Sequence, residues 1–239
     1  MPTLEFALVE SSKFTVLCAA VFISLHFVMP MWTWWNKTLN KNTKTEYMMR
    51  MIAITLEFIS SVQWAYALFI QTEGSYDWAL PYFYATLGYW VYDFVANIYY
   101  YRDLKKLFVL VHHFGCYITG MGVIITWIPR ISMVFGFSGF VTDVFDHATW
   151  FLQRQEIAPR FVSRLKIFNT LLFFVARLVI APVWFYRLFT TDPLFLASST
   201  LIQGWIMVTL IVYSLLNVHM FVNVRLPNML KKRSHVHAH

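Results

Sequence analysis

The segment 168–189 decides the class of fold, and it reads FNTLLFFVARLVIAPVWFYRLF. An α-helix needs about 20 mainly apolar residues to cross the roughly 30 Å hydrocarbon core of a bilayer. This stretch meets that requirement although it contains Arg177 and, near its end, Arg187. It is therefore predicted to be a transmembrane helix.

The composition of the whole chain indicates an integral membrane protein. Hydrophobic residues make up 59% of its 239 residues and charged residues only 13%, and the mean hydropathy is +0.55. A soluble globular protein contains about 25% charged residues, so this chain has too few polar side chains to cover a water-soluble fold. The same composition excludes a disordered chain and a coiled coil. The two cysteines both lie in apolar segments, which excludes a disulfide scaffold.

Seven apolar stretches are long enough to span the membrane, which predicts an all-α, polytopic bundle of about seven transmembrane helices. They are approximately Phe14–Trp35, Met51–Ile70, Trp78–Tyr100, Leu107–Trp127, Ile131–Phe151, Phe168–Phe189 and Leu194–Val224. Residues 1–13 are expected to precede the bundle, 14–224 to form it, and 225–239 to form a basic tail. Pro182 is expected to kink the sixth span, because proline removes a backbone hydrogen bond.

The distribution of positive charge predicts the orientation of the bundle. Most of the 19 lysines and arginines fall in loops 1, 3 and 5 and in the C-terminal tail, and cytoplasmic loops carry the excess of these residues. The tail is therefore expected in the cytosol and the N-terminus on the lumenal or outer side. This topology and the anionic headgroups of the membrane account for the net charge of +7 without a nucleic-acid partner.

Ionisable and amide side chains recur inside the predicted spans, where they are costly and usually face a bundle interior or a wet cavity. Counted from the cytosolic end of each span at about 1.5 Å per residue, they fall in one layer about 8–14 Å deep. The members of this layer are His26, Glu57, Asp93, His112, His113, Asp143, Asp146, Arg177, Asn217 and His219. Helices of both directions contribute to it, which favours one polar chamber open to the cytosol over scattered structural residues.

Helical spacing predicts which residues lie beside Asp93 and Asp143, two members of the layer. Tyr89 and Asn97 lie four positions before and after Asp93, and His147 follows Asp143 at i+4. Residues at this spacing share one face of a helix. Tyr89, Asn97 and His147 are therefore predicted to line the chamber.

Arg177 is expected to need a carboxylate partner. A guanidinium group stays charged at any ordinary pH, and a charge inside the membrane is usually paired. Either Asp146 or Glu57 is the predicted partner. Neutralisation of these carboxylates and contact with a substrate are both open roles for Arg177.

The spacing of the histidines and carboxylates does not favour a metal site. His112 and His113 are adjacent, so on a helix they point about 100° apart. Asp143 and His147 have a suitable i, i+4 spacing, but a zinc helix typically provides two histidines at that spacing. No metal is expected.

Five motifs follow one another between residues 78 and 184. They are Gly88-Tyr89-Trp90-Val91-Tyr92-Asp93, Asp103-Leu104-Lys105-Lys106, Val111-His112-His113-Phe114, Thr142-Asp143-Val144-Phe145-Asp146 and the run from Phe174 through Arg177 and Pro182 to Trp184. In order and spacing this region resembles the TLC-domain family, which includes the ceramide synthases. Ceramide synthases have a histidine immediately before the aspartate of span five, whereas this chain has Thr142. The chain thus resembles the shorter members, which the family links to membrane lipid composition, lipid synthesis and trafficking.

The resemblance and the polar layer together imply an acyltransferase that uses acyl-coenzyme A as co-substrate and a membrane lipid as acceptor. A sphingoid base as the acceptor is implied by the resemblance alone. His112 or His113 is the expected general base or acyl-accepting nucleophile, because imidazole titrates near working pH. The carboxylates expected to assist are Asp93, Asp143 and Asp146. The basic residues expected to attract the phosphates of the coenzyme are Arg102, Lys105 and Lys106. No bound cofactor is expected, and the oligomeric state is open.

A second interpretation keeps the chamber and omits the chemistry. The protein would then bind or sense lipids and adjust membrane composition, or act as a cargo receptor of the secretory pathway. A seven-span retinal protein is disfavoured, because the last span has no lysine for a Schiff base. The resemblance implies the endoplasmic reticulum as the compartment, with the plasma membrane or another endomembrane as alternatives.

Overall fold

The computed structural model describes residues 4–29, 41–70, 78, 80–100, 115, 129–156 and 158–229. Regular structure in these ranges is entirely helical, which confirms the all-α prediction. The helices are α1 (Leu4–Val28), α2 (Lys41–Phe69), α3 (Leu80–Tyr100), α4 (Pro129–Arg154), α5 (Pro159–Phe173), α6 (Ala181–Thr191), the short α7 (Pro193–Leu196) and α8 (Thr200–Met220). One π-helical segment, Phe174–Ile180, joins α5 to α6, and another, Phe221–Arg225, extends α8.

Four stretches of the described helices are long and apolar enough to cross a membrane. They are Glu5–Val28, Lys44–Phe69, Pro159–Thr191 and Thr200–Met229. Helices α3 and α4 coincide with the third and fifth predicted spans. The fourth predicted span, Leu107–Trp127, lies outside the described residues except for Gly115.

Helix α1 begins at Leu4, before the predicted start of the first span at Phe14. The residues that precede Phe14 include charged side chains, among them Glu10 and Lys13. In the structure the ammonium group of Lys13 lies 2.5 Å from the carboxylate of Glu10 in the next turn of the same helix. Such i, i+3 pairs are compatible with a helix, so charge marks where the apolar span begins and not where the helix begins.

The described residues belong to two compact units. The first comprises the described parts of Met1–Gln63 and Gln71–Pro129, and the second those of Trp64–Ile70 and Arg130–His239. Helices α1 and α3 and most of α2 thus form the first unit. The end of α2 and all helices from α4 onward form the second.

In the first unit, α1 packs along one stripe of α3. Tyr84 and Tyr92 lie two turns apart on α3, and their rings contact those of Phe6 and Phe22 with centroid distances of 6.0 and 6.2 Å. These contacts advance in the same order along both helices. Helices α1 and α3 therefore run parallel, as two odd-numbered spans do in an alternating topology.

Gly88 lies between these two tyrosines and lets the backbones of α1 and α3 approach closely. A Cβ atom at this position would collide with the backbone oxygen of Ser11 and would lie 2.6 Å from Cβ of Phe14. The hydroxyl of Thr15 donates a hydrogen bond to the carbonyl of Gly88 at 3.0 Å. Small residues have this function in many membrane helix pairs.

The substitution Gly88→Ala is expected to destabilise the folded protein by roughly 1–3 kcal/mol, because the added methyl group overpacks this contact. Gly204→Ala is the matched control, since Gly204 is also helical and a Cβ there would meet nothing within 4 Å. Thermal unfolding in detergent should show a lower Tm for the first variant and an unchanged or higher Tm for the second. Equal Tm values would contradict the close approach.

In the second unit, the end of α2 packs on the beginning of α4. The indole of Trp64 covers Gly136, where a Cβ atom would collide with its nitrogen. The rings of Phe69 and Phe137 meet edge to face at 5.3 Å. Farther along α4, Phe145 meets Phe168 of α5 at 5.1 Å. Helix α4 therefore has neighbours at both of its ends.

The chain turns at Thr191-Asp192-Pro193, between α6 and α7. The Asp192 carboxylate accepts hydrogen bonds from the backbone N–H groups of Leu194 and Phe195 at 3.0 and 3.1 Å. Pro193 begins the short helix α7, where its missing N–H costs nothing. This cap ends α6 and directs the chain toward α8.

Candidate functional site

Arg177 is the centre of a buried polar cluster in the second unit, which we call the Arg177 cluster. Its Nη2 atom donates a hydrogen bond to the carboxylate of Asp143 on α4 at 2.7 Å. Its Nη1 atom donates to the side-chain oxygen of Asn217 on α8 at 3.3 Å. The arginine thus connects α4, the first π-helical segment and α8.

Helix α4 supplies further acceptors to the same guanidinium group. Nε donates to the carbonyl of Ser138 at 3.0 Å, and Nη2 donates to the carbonyl of Gly139 at 2.8 Å. The Thr142 hydroxyl accepts from Nε at 3.0 Å and from Nη2 at 2.7 Å, and it donates to the Gly139 carbonyl at 2.9 Å. A buried ion needs such additional hydrogen bonds to offset its desolvation. These hydrogen bonds to α4 therefore replace the water that the buried guanidinium group has lost.

Ser138 extends the Arg177 cluster along α8. Its hydroxyl lies 2.7 Å from the hydroxyl of Tyr213, one turn before Asn217. Both Ser138 and Asn217 are buried. Two successive turns of α8 thus make polar contacts, Tyr213 with α4 and Asn217 with the π-helical segment.

Pro182 determines the helical geometry around Arg177. Proline lacks an N–H, and its ring clashes with the carbonyl four residues earlier. The chain responds with the π-helical segment Phe174–Ile180, and the N–H of Ala181 donates to the carbonyl of Ala176, five residues back. The disturbance expected at Pro182 thus takes the form of a wider turn. Such turns occur frequently at functional sites.

A second ion pair lies one turn farther along α4. Asp146 pairs with Arg225 of the second π-helical segment, and Nδ2 of Asn169 donates to the Asp146 carboxylate at 2.6 Å. This segment ends two residues before Pro227, as the first segment ends two residues before its proline. Both ion pairs are therefore built on a π-helical turn that precedes a proline.

Phe173 connects the two ion pairs. Its fully buried ring lies under the guanidinium carbon of Arg177 at 4.7 Å and under that of Arg225 at 4.2 Å. Cations within about 6 Å of an aromatic centroid are attracted by the ring. The ring therefore holds both arginines in place independently of their carboxylate partners.

The carboxylates of the two pairs are far more accessible than the guanidinium groups. The side chains of Asp143 and Asp146 are 38% and 47% exposed, compared with 9% and 12% for Arg177 and Arg225. An ionised carboxylate is purely a hydrogen-bond acceptor. The accessible group of the Arg177 cluster is thus the Asp143 carboxylate, which can accept a hydrogen bond from an amine or a hydroxyl. The positively charged guanidinium group is covered by the surrounding helices.

The structure brings together three members of the predicted polar layer, which are Asp143, Arg177 and Asn217. Asp146 was expected to be a partner of Arg177, and this was wrong, because it pairs with Arg225 instead. The physical reason is depth: Asp146 is one turn farther along α4 than Asp143, beyond the hydrogen-bonded surroundings of Arg177. The other expected partner, Glu57, is buried in the first unit.

In the first unit, Asp93 and Asn97 lie on one face of α3, as their i, i+4 spacing indicates. Nδ2 of Asn97 donates to the Asp93 carboxylate at 2.7 Å, and both side chains are buried. Tyr89, one turn earlier on α3, is buried as well. This contact is a side-chain hydrogen bond of the kind that an i, i+4 spacing allows within one helix.

Three predicted histidines lie within the described helices. His147 is partly exposed on α4, and His26 is exposed on α1. His219 is exposed on α8, where its Nδ1 lies 3.1 Å from Nδ2 of Asn223. The predicted residues that lie outside the described part of the chain are Arg102, Lys105, Lys106, His112 and His113. The single chamber expected from all of these residues stays a prediction.

The residues that sequence reasoning missed are Ser138, Thr142, Asn169, Tyr213 and Arg225. Four of them are neutral, and neutral polar residues are common in membrane helices. Arg225 was assigned to the basic tail because of its charge. One signal was present: each arginine shortly precedes a proline within an apolar run, which is where a π-helical turn can move a charge into the helix interface.

The Thr142 hydroxyl is expected to stabilise the fold through Arg177. Thr142→Val removes the acceptor of two guanidinium hydrogen bonds and should cost roughly 1–3 kcal/mol of stability. Thr149→Val is the matched control on the same helix, because the buried Thr149 hydroxyl has no hydrogen-bond partner among the described residues. Chemical or thermal unfolding should separate the two variants, whereas equal losses would contradict the role of Thr142.

Comparison with known proteins identifies the domain. The family model described as TLC domain matches residues 6–224. This range contains Asp143, Asp146 and Arg177 and ends one residue before Arg225. The comparisons with curated proteins and with solved structures gave no match. The match spans most of the chain and includes the motifs from which the resemblance was inferred. This integral membrane protein therefore belongs to the TLC-domain family.

Proposed function

We propose that this protein modifies a membrane lipid by transferring the acyl group of an acyl-coenzyme A to an amine or hydroxyl of that lipid. The observation that carries the proposal is the accessible carboxylate of Asp143, held in place by the buried Arg177. Such a carboxylate can accept a hydrogen bond from the acceptor group of a lipid whose chains lie among the apolar helices. Membership of the TLC-domain family supports a lipid-related function.

The proposed reaction breaks the thioester C–S bond and forms a C–N or C–O bond to the acyl carbon. The acceptor loses a proton to a base, and the coenzyme leaves as a thiol. His112 or His113 is the proposed base, as the sequence predicts. Asp143 is proposed to bind and orient the acceptor before the transfer, and Arg177 to hold that carboxylate in place.

The proposal is tested by measuring free thiol released from a long-chain acyl-coenzyme A by purified protein in liposomes. A panel of sphingoid bases and lysolipids supplies the acceptor. We expect acceptor-dependent release, and a higher KM for the acceptor in Asp143→Asn than in the control Glu10→Gln. No release and no acylated protein with any acceptor would overturn the proposal.

A second candidate function is lipid binding without chemistry, for lipid homeostasis or cargo transport in the secretory pathway. The observation that favours it is the structural role of Thr142, whose hydroxyl accepts two hydrogen bonds from Arg177. Ceramide synthases, which this chain resembles, have a histidine at that position. Lipids of the panel that raise the Tm without thiol release would support this candidate, because ligands that bind the native state stabilise it.

The proposed location is the endoplasmic reticulum, with the C-terminal tail in the cytosol. The orientation makes a prediction for the sequon Asn36-Lys37-Thr38, which is expected on the cytosolic side. Expression in a eukaryotic cell should therefore give an unglycosylated protein, while a sequon placed in the segment 72–75 should be glycosylated. Glycosylation of Asn36 would contradict the predicted orientation and place this sequon on the lumenal side.

A further inference from the structure

We propose that Arg225 binds the phosphate group of an anionic ligand. In the absence of this ligand, Arg225 forms its ion pair with Asp146. Two kinds of molecule carry such a group at a membrane surface: coenzyme A and a phospholipid headgroup. The proposal goes beyond acyl transfer, because binding at Arg225 requires no reaction.

Arg225 has a donor that Asp146 does not use. The Asp146 carboxylate is bonded to Nη1 and Nη2 of Arg225. The Nε–H group is buried, and among the described residues it has no acceptor. A buried donor without an acceptor costs free energy. A phosphate has enough oxygens to accept from Nε and from one Nη at the same time, in the paired geometry that arginine favours.

Asp146 is suited to release Arg225. Its side chain is 47% exposed, so the rest of the protein leaves it open to a ligand. It also has a second partner, because Nδ2 of the buried Asn169 donates to it at 2.6 Å. Asp146 would therefore keep a hydrogen bond after Arg225 moves to a phosphate.

The contrast with Arg177 indicates which pair can exchange its partner. Every nitrogen of the Arg177 guanidinium donates to an acceptor on α4 or α8. Arg225 has a single carboxylate partner and an unused donor among the described residues. The ring of Phe173 would hold the Arg225 guanidinium while the partners exchange. The first pair is thus the fixed one, and the second is the exchangeable one.

The place of Arg225 in the chain suits an anion at the membrane surface. It lies in the last π-helical segment, at the end of an apolar helix. In the sequence it is followed by Lys231, Lys232 and Arg233. Basic residues next to a membrane helix attract anionic headgroups and other phosphates. The positive charge of this segment would raise the local concentration of the proposed ligand.

The test compares four variants with two probes. The protein is reconstituted in phosphatidylcholine vesicles, and binding is measured for phosphatidic acid added to the vesicles and for coenzyme A added to the solution. We expect Arg225→Gln to weaken binding of one probe roughly tenfold, the loss of one charge-assisted pair of hydrogen bonds. Asp146→Asn should tighten binding of the same probe, because it removes the competing carboxylate. Arg154→Gln, the control, removes a positive charge near the end of α4 and should change nothing.

The probe that shows this pattern identifies the source of the phosphate. The inference is overturned if neither probe binds, if Arg154→Gln weakens binding as much as Arg225→Gln, or if Asp146→Asn weakens it. The fourth variant, Asp146→Asn combined with Arg225→Gln, removes both charges and should bind as weakly as Arg225→Gln. If Arg225→Gln does not fold, tighter binding by Asp146→Asn supports the inference, and unchanged binding contradicts it. An inactive protein that shows the pattern would refute acyl transfer and leave this inference standing.

Discussion

Asp143→Asn is expected to destabilise the folded protein by roughly 3 kcal/mol, because it leaves Arg177 buried without its carboxylate. Removing one partner of a buried ion pair typically costs about 3–5 kcal/mol. The lower end applies here, since the Asp143 side chain is 38% exposed and the pair is therefore only partly buried. Unfolding measured by tryptophan fluorescence in detergent should show the loss directly.

Two further variants separate the ion pair from a general effect of charge. Asp143→Leu combined with Arg177→Met removes both charges and should recover much of the stability, because no ion is then left unpaired. Glu10→Gln breaks the pair with Lys13, whose side chain is 62% exposed, and should cost at most about 1 kcal/mol. A double variant as unstable as Asp143→Asn would show that the carboxylate itself, and not the pairing, stabilises the fold.

The second large effect is expected at the adjacent histidines. If one of them is the base of the proposed transfer, its replacement by alanine should lower turnover by about 10²–10⁴-fold, the usual contribution of a general base. The measurement is thiol release by His112→Ala and by His113→Ala at saturating acyl-coenzyme A. The Tm of both variants should be reported beside the rate, since only a folded variant tests the chemistry.

His237→Ala is the control for this experiment. His237 lies in the C-terminal segment, outside the matched TLC domain, and its replacement should leave turnover unchanged. Full activity in both His112→Ala and His113→Ala would remove the proposed base. Equal losses in all three variants would indicate an effect of histidine replacement that is not specific to the pair.

The helical class of the fold could be predicted from the sequence because the apolar runs have the length that a bilayer requires. The segment 168–189 illustrates this, since it falls within the single long stretch Pro159–Thr191. The ends of the helices could not be predicted equally well. Charge at Glu10 and Lys13 marks the limit of the apolar span, yet α1 continues through both residues to Leu4.

The membership of the Arg177 cluster could be predicted only in part. Asp143, Arg177 and Asn217 were identified because such residues are rare in membrane spans. Their pairing was not, since Asp143 and Asp146 differ in depth by only about 4.5 Å at three residues of rise. This difference is comparable with the uncertainty of a predicted helix end, which is about 2–4 residues.

The π-helical segments explain why Arg225 was missed. Counting at 3.6 residues per turn assumes a regular α-helix, and a π-helical turn shifts every following residue around the axis. Arg225 lies inside such a segment, so its position against α4 does not follow from regular spacing. Pro182 and Pro227 are the visible signals of these two turns, and a search for charges shortly before them would have found both arginines.

Native mass spectrometry of the detergent-solubilised protein tests most directly whether a membrane lipid binds at Asp143 and Arg177. The wild-type protein is expected to retain a lipid with an amine or hydroxyl group. The variant that combines Asp143→Leu with Arg177→Met, which is expected to fold, should have lost it. Retention of the same lipid by both proteins, or a wild-type protein that carries none, would contradict the account.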